Sequence, residues 1–144
     1  MKIFLDSSVL IAAFLSPEGG SAQILEFCEA GLLQGNISRD VIREIEEVVA
    51  RKLPEIRSKI QKIIRFSALK IIGKIRPALL KKSKGWIADP GDAKILAAAK
   101  QNDVQYLITL DLRHFIKDPR VAEKSGLKIL TPGDFLKMFR LLIN

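Results

Sequence analysis

The chain has 144 residues, 48% of them hydrophobic, and its 24 lysines and arginines outnumber its 16 acidic residues, so the net charge is +8. This length and hydrophobic content fit a single domain over residues 1–144 that buries a core without disulfide bonds or a structural metal. A lone cysteine excludes a disulfide within the chain, and the apolar run at residues 9–15 is too short to cross a membrane, so we expect a cytoplasmic protein with no membrane association.

The positive charge is concentrated in the middle of the chain. Residues 51–84 contain twelve lysines and arginines and a single acid, Glu55. A segment of this kind can bind a polyanion such as RNA, or it can be the solvent-facing side of an amphipathic helix, and both interpretations stay open. The residues that we single out as nucleic-acid contacts are Arg57, Lys59, Lys62, Lys82 and Lys84.

Hydrophobic periodicity and helix start signals predict alternating strands and helices. In chain order, the pattern predicts a strand at 3–5, helices just after Asp6 and at 21–31, a strand at 32–38, helices at 40–53, 54–66 and 92–103, strands at 104–110 and 126–130, and a closing helix at 131–144. Residues 67–84 fit either a strand or a helix. The alternation predicts a three-layer α/β/α fold with a mostly parallel central sheet.

Acidic residues stand at or beside the predicted strand ends. Asp6 and Asp111 each follow a strand directly, and Asp92 opens a helix. Glu44 shares a helical stripe with apolar residues and is therefore predicted at the core-facing edge of its helix. Since ligands of parallel sheets bind beyond the carboxyl ends of the strands, we expect these four carboxylates to converge. Taken singly, Asp6 can equally be a helix cap, and so can Asp89 or Asp92.

Converging carboxylates repel one another and stay ionised at neutral pH only when cations neutralise them. Oxygen ligands, with no cysteine pair and a single histidine in the chain, favour Mg²⁺ or Mn²⁺ over zinc. His114 could bind phosphate or metal, but one histidine shortly after a strand is more often structural or exposed. The sequence therefore predicts a hard-cation site formed by Asp6, Glu44, Asp92 and Asp111.

Several motifs occur in an order that resembles a known family. They are Asp6 followed by Ser7 and Ser8, Glu44 on a helix after a strand, Asp89 and Asp92 at the start of an alanine-rich helix, Thr109 two residues before Asp111, and LTPGDFL near the end. Together they resemble a PIN domain, the ribonuclease fold of VapC-type toxins, over nearly the whole length. The chain departs from the family pattern at Ser8, where asparagine is frequent, and at Leu110, where glycine is common.

The resemblance implies metal-assisted hydrolysis of RNA, with one or two Mg²⁺ or Mn²⁺ ions held by Asp6, Glu44, Asp92 and Asp111. It also implies that Ser8 and Thr109 orient ligands or waters, and that Asp89 is either a further ligand or a helix cap. The expected partners are an RNA substrate, an antitoxin protein, and a second copy of the chain that packs against residues 136–144.

Two other functions stay open at this stage. A PIN fold that binds nucleic acid or acts as a scaffold without catalysis would be expected to have lost one of the acids, and all four are present. An aspartyl-phosphate enzyme would need a second aspartate two positions after Asp6, where this chain has Ser8.

Overall fold

A parallel sheet lies at the centre of the molecule. The computed structural model describes residues 1–144 apart from the side chain of Phe66, and in this part of the chain five strands pair into one sheet. The strands are β1 (Lys2–Leu5), β2 (Gln34–Ser38), β3 (Lys70–Ile72), β4 (Tyr106–Ile108) and β5 (Lys128–Leu130). They are arranged in the order β3-β2-β1-β4-β5, and each neighbouring pair is parallel.

Helices connect the strands and cover the sheet, which confirms the predicted three-layer α/β/α fold. They are α1 (Ser7–Leu15), α2 (Gly20–Glu29), α3 (Arg39–Lys52), α4 (Arg57–Phe66), α5 (Pro77–Ser83), α6 (Pro90–Gln101), α7 (Pro119–Ser125) and α8 (Pro132–Ile143). A 3₁₀ turn at Pro54–Ile56 precedes α4, and a π-helical turn at Leu112–Ile116 follows β4. Among the residues that the structure describes, no helix combines the length and the apolar character needed to span a bilayer.

Side chains cap the helices that carry or flank the site. Ser38 Oγ accepts a hydrogen bond from the Val41 amide at the start of α3, and Asp89 Oδ2 accepts one from the Asp92 amide at the start of α6. Thr131 caps α8 in the same way, with Pro132 in the first turn. Caps satisfy backbone amides that have no partner within the helix, so they position each first turn accurately.

The structure differs from the predicted elements mainly between residues 67 and 84 and after Asp111. The ambiguous stretch contains both a strand, β3, and a helix, α5. The sequence pattern also missed α7 and the π-helical turn, and the strand predicted at 104–110 is only Tyr106–Ile108. These elements have three to seven residues, too few for a clear hydrophobic period.

The order in which strands are added to the sheet changes side at β1. Strands β2 and β3 lie on one side of β1, and β4 and β5 lie on the other. β1 lies at the centre, with β2 on one side and β4 on the other, and Leu5 pairs with Ile108 at their carboxyl ends. The Asp6 amide extends this pairing by donating a 3.1 Å hydrogen bond to the Ile108 carbonyl. Such a switch point leaves a crevice beyond the strand ends, where open α/β sheets bind their ligands.

Candidate metal centre at the carboxyl edge of the sheet

Two hydroxyl groups hold Asp6 at the end of β1. Its Oδ2 accepts hydrogen bonds from Ser8 Oγ (3.0 Å) and Thr109 Oγ1 (2.9 Å). The Ser8 hydroxyl also accepts a bond from the Leu110 amide, and the Thr109 hydroxyl accepts one from the Asp111 amide. In the part of the chain that the structure describes, the Asp6 side chain makes no N-cap hydrogen bond to α1, so its carboxylate is not held there as a helix cap.

Asp111 and His114 form a pair just beyond β4. Asp111 Oδ2 lies 2.9 Å from His114 Nδ1, and Asp111 Oδ1 accepts a 3.1 Å hydrogen bond from the His114 amide. The π-helical turn brings these two side chains together because it begins directly after Asp111. His114 Nδ1 is also 3.6 Å from Asp92 Oδ2 at the start of α6. One ligand atom from each of these three residues lies within 4.8 Å of the others.

One oxygen of this cluster is buried and unsatisfied. Asp92 Oδ2 has no hydrogen-bond partner among the described residues. Burial raises the pKa of Asp92 to about 6, helped by the negative charges of Asp89, Asp111 and Asp6 and opposed by His114. A buried carboxylate without a partner is costly unless a cation neutralises it, so the orphaned oxygen and its carboxylate and imidazole neighbours fit a divalent cation.

Glu44 approaches the same crevice from α3. Partial burial raises the pKa of Glu44, and the charges of Asp6, Glu47 and Asp111 add to this shift. Together with Asp89 and Asp92 it lines a cavity of about 340 Å³. Glu44 is exposed, so the prediction that it lies at the core-facing edge of α3 is wrong. The reason is that the crevice it faces is open to solvent.

The structure thus brings the four predicted carboxylates within electrostatic range of one another. Burial raises the pKa of Asp6 despite its hydrogen bonds to Thr109 and Ser8, and the charge of Asp111 contributes to the rise. Like charges favour the protonated form of their neighbours, so each of these shifts, of which burial is the largest cause, includes a contribution from another acid. Asp89 lies beside the cluster and caps α6 through the Asp92 amide.

The predicted basic residues lie in different places. Lys84 lines a cavity that also includes Asp92 and His114. Lys59 and Lys62 line another cleft, of about 350 Å³, in which Leu25 and Ile63 provide apolar contacts. Arg57 and Lys82 are exposed on α4 and α5. Only Lys84 of this set therefore borders the carboxylates through a shared cavity, and nucleic-acid binding by all five residues remains a prediction.

His114 belongs to the cluster although it is exposed. The sequence left a phosphate or metal ligand and a structural or exposed residue as alternatives for it and favoured the second, because the histidine stands alone. A signal was nevertheless present, because His114 is three residues after Asp111, a spacing that places two side chains on the same face of a helical turn. The π-helical turn that realises this contact could not be foreseen from periodicity.

Comparison with known proteins identifies the family. The sequence profile of the PIN domain matches residues 2–113, which is more than three quarters of the chain. The chain belongs to the PIN domain family. PIN domains are a family of nucleases, and in this one the carboxylates lie at the switch point of the sheet. No curated protein sequence matches the chain significantly.

Solved structures share the PIN fold. VapBC2 from Rickettsia felis, bound to a DNA fragment from its promoter, has 16% identity and a TM-score of 0.64, covering 91% of this chain and 98% of that one. A protein from Pyrobaculum aerophilum has 17% identity and a TM-score of 0.64, with both chains covered completely. VapC20 from Mycobacterium tuberculosis, a toxin that cleaves the sarcin-ricin loop, has 13% identity and a TM-score of 0.53, with coverage of 73% and 86%. At these identities the likeness establishes the fold.

Proposed function

We propose that this PIN domain is a metal-dependent endoribonuclease and the toxin of a toxin–antitoxin pair. The observation that carries the proposal is the unpartnered, buried Oδ2 of Asp92 within a cluster that also contains Asp111 and His114. Burying an apolar side chain at position 92 would cost less free energy than burying a carboxylate there. A carboxylate is useful there if a cation binds it.

The residues that would hold the cation are Asp6, Glu44, Asp92 and Asp111, with His114 as a nitrogen ligand. The oxygen-rich set favours Mg²⁺ or Mn²⁺. When bound, such an ion lowers the pKa of a coordinated water and offsets the negative charge that develops on the phosphate oxygens. Asp89 is a helix cap in this proposal, since its Oδ2 already accepts the hydrogen bond of the Asp92 amide.

The chain's own groups orient the ligands. The Ser8 and Thr109 hydroxyl groups both donate to Asp6 Oδ2, so they fix the orientation of this carboxylate. The Thr109 hydroxyl group donates to Asp6 and accepts from the Asp111 amide, so it ties the ends of β1 and β4 together. Rigid support of this kind typically accounts for about 10- to 100-fold in metal affinity or activity.

The test is cleavage of single-stranded RNA with Mg²⁺ or Mn²⁺, compared with the same reaction in EDTA. We expect cleavage by the parent protein and none by Asp6→Asn or Asp111→Asn. Asp103→Asn is the matched control, because it makes the same charge change at an exposed position before β4, and its left-handed backbone (φ 53°) suits asparagine. If the two site variants cut as well as the parent, the site is wrongly assigned.

A catalytically inactive domain that binds nucleic acid or acts as a scaffold is the alternative. It predicts no cleavage and no Mn²⁺ binding at millimolar concentration by calorimetry. The orphaned oxygen of Asp92 favours the nuclease, because an unused carboxylate in this position would only destabilise the fold.

The partners follow from the same proposal. VapBC2, whose fold resembles this chain, was solved bound to promoter DNA, and we infer that this chain also pairs with an antitoxin protein. The α8 residues Leu141, Leu142 and Ile143 are exposed and could contribute to a homodimer. Light scattering decides this point, because a dimer would have twice the chain mass of 16.1 kDa. A monomeric mass that persists at high protein concentration would exclude the dimer.

A further inference from the structure

A second, larger cavity borders the metal cluster. It has a volume of about 750 Å³ and is lined by Asp92 and His114 on the side of the cluster. Its other walls come from residues 84–90, which lead into the start of α6, and from α7. Small-molecule sites typically occupy about 300–1,000 Å³, so the cavity is large enough for a nucleotide.

The only tryptophan of the chain lines this cavity. Trp86 is half-buried and packs in part against the hydrophobic core, which holds its indole ring in place. An aromatic ring held at the wall of a polar cavity is a platform on which a nucleic-acid base can stack, and every base has a face suited to this contact. Trp86 therefore supplies one half of a nucleotide-binding site.

Cationic side chains supply the other half. Lys84, Arg113 and Lys124 line the cavity, and in the described part of the chain none of them forms an ion pair with a carboxylate. The fourth cation, Arg120, is committed to Asp118 through two 3.0 Å hydrogen bonds. Three cations that share a cavity with an aromatic ring can bind the phosphates on either side of a stacked base.

We propose that this cavity binds one unpaired nucleotide next to the phosphate that is cut, with its base on Trp86 and its flanking phosphates on Lys84, Arg113 and Lys124. The inference rests on the proposed nuclease function and adds to it a subsite for one base and its flanking phosphates. A paired base is stacked within its helix and cannot reach Trp86, whereas an unpaired base can be splayed out onto the ring.

Tryptophan fluorescence tests the site directly, because Trp86 is its only source. The probe is single-stranded hexauridylate added to Asp6→Asn protein in EDTA, so that neither metal nor cleavage is required. We expect saturable quenching of Trp86 emission with hexauridylate and none with a blunt RNA duplex at equal nucleotide concentration. Trp86→Leu should weaken binding of a fluorescein-labelled hexauridylate, measured by anisotropy, about 5- to 150-fold.

Because Trp86 also contacts the core, two exposed cations provide a second test that does not depend on folding. The double variant Arg113→Ala with Lys124→Ala should lose most of the binding. The matched pair Lys137→Ala with Arg140→Ala, exposed on α8 and outside the lining of this cavity, should retain it. The reverse result, or binding without a change in Trp86 emission, would overturn the subsite and leave the nuclease proposal untouched. If hexauridylate quenches the Trp86 emission of the parent protein but this protein cleaves no RNA with Mn²⁺, the subsite is supported and the nuclease proposal is overturned.

Discussion

Thr109 donates a 2.9 Å hydrogen bond to Asp6, although the two residues are 103 positions apart in the chain. The bond joins the ends of the two central strands, β1 and β4, and the same Thr109 oxygen accepts the Asp111 amide. A fully buried hydroxyl group therefore links two of the four acids. This link explains how acids that follow different strands keep a common orientation.

Replacing Thr109 by valine should weaken metal binding. The change keeps the side-chain volume but removes the donor to Asp6 and leaves the Asp111 amide without its acceptor. We expect the Kd for Mn²⁺ to rise about tenfold or more, and the free energy of unfolding to fall by about 1–3 kcal/mol. Calorimetry and urea denaturation measure the two effects. Thr109→Ser, which keeps the hydroxyl group, is the control and should retain the Mn²⁺ affinity.

Asp92 should make the metal-free protein less stable as the pH rises. Its pKa is raised from 3.8 to about 6 in the folded protein, so the folded state holds the proton more tightly than the unfolded state does. The stability that this proton contributes is complete below pH 3.8 and is lost as the pH rises through about 6. In EDTA, Asp92→Asn should thus melt above the parent at about pH 7.5, and the difference should vanish near pH 4.

Added Mn²⁺ should reverse the order of these two proteins near neutral pH. The ion neutralises the ionised Asp92 of the parent and stabilises it by mass action, whereas the asparagine offers no charge. Melting curves with and without Mn²⁺ check this. Equal shifts of the parent and the variant would show that Asp92 does not bind the ion.

His114 should contribute more to Mn²⁺ binding than to Mg²⁺ binding. Its imidazole nitrogen is a ligand that suits Mn²⁺ better than Mg²⁺, which prefers oxygen. We expect His114→Ala to weaken Mn²⁺ binding about tenfold and Mg²⁺ binding less. Parallel titrations with the two ions give the ratio. A loss that is the same for both ions would mean that His114 acts only by positioning Asp111 through their 2.9 Å contact.

Asp89 should behave as a cap and not as a ligand. Asp89→Asn keeps an N-cap acceptor for the Asp92 amide, so stability, Mn²⁺ affinity and RNA cleavage should all be retained. Asp89→Ala removes the cap and should cost about 1 kcal/mol. Thermal melts and a cleavage assay separate the two roles. Loss of cleavage in a stable Asp89→Asn protein would assign Asp89 to the metal.

Local chemistry made part of the fold predictable. Ser38 and Thr131 mark the starts of α3 and α8, because a cap bonds to an amide only three residues away. Asp6 and Asp111 could be placed at strand ends, because an apolar run ends directly before each of them. Parallel topology then implied that these ends share one edge of the sheet.

The sequence by itself thus determined the fold class and the family, and it singled out four acids as candidates, since these depend on short-range patterns and on a small set of permitted topologies. Only the tertiary structure decided that Glu44 is exposed, that Asp92 has an unsatisfied oxygen and that His114 joins Asp111. It also decided that Trp86 and Arg113, from separate segments, line one cavity. The physical reason is that such proximities depend on how loops and helices pack beyond the strand ends, and periodicity carries no information about distances between segments.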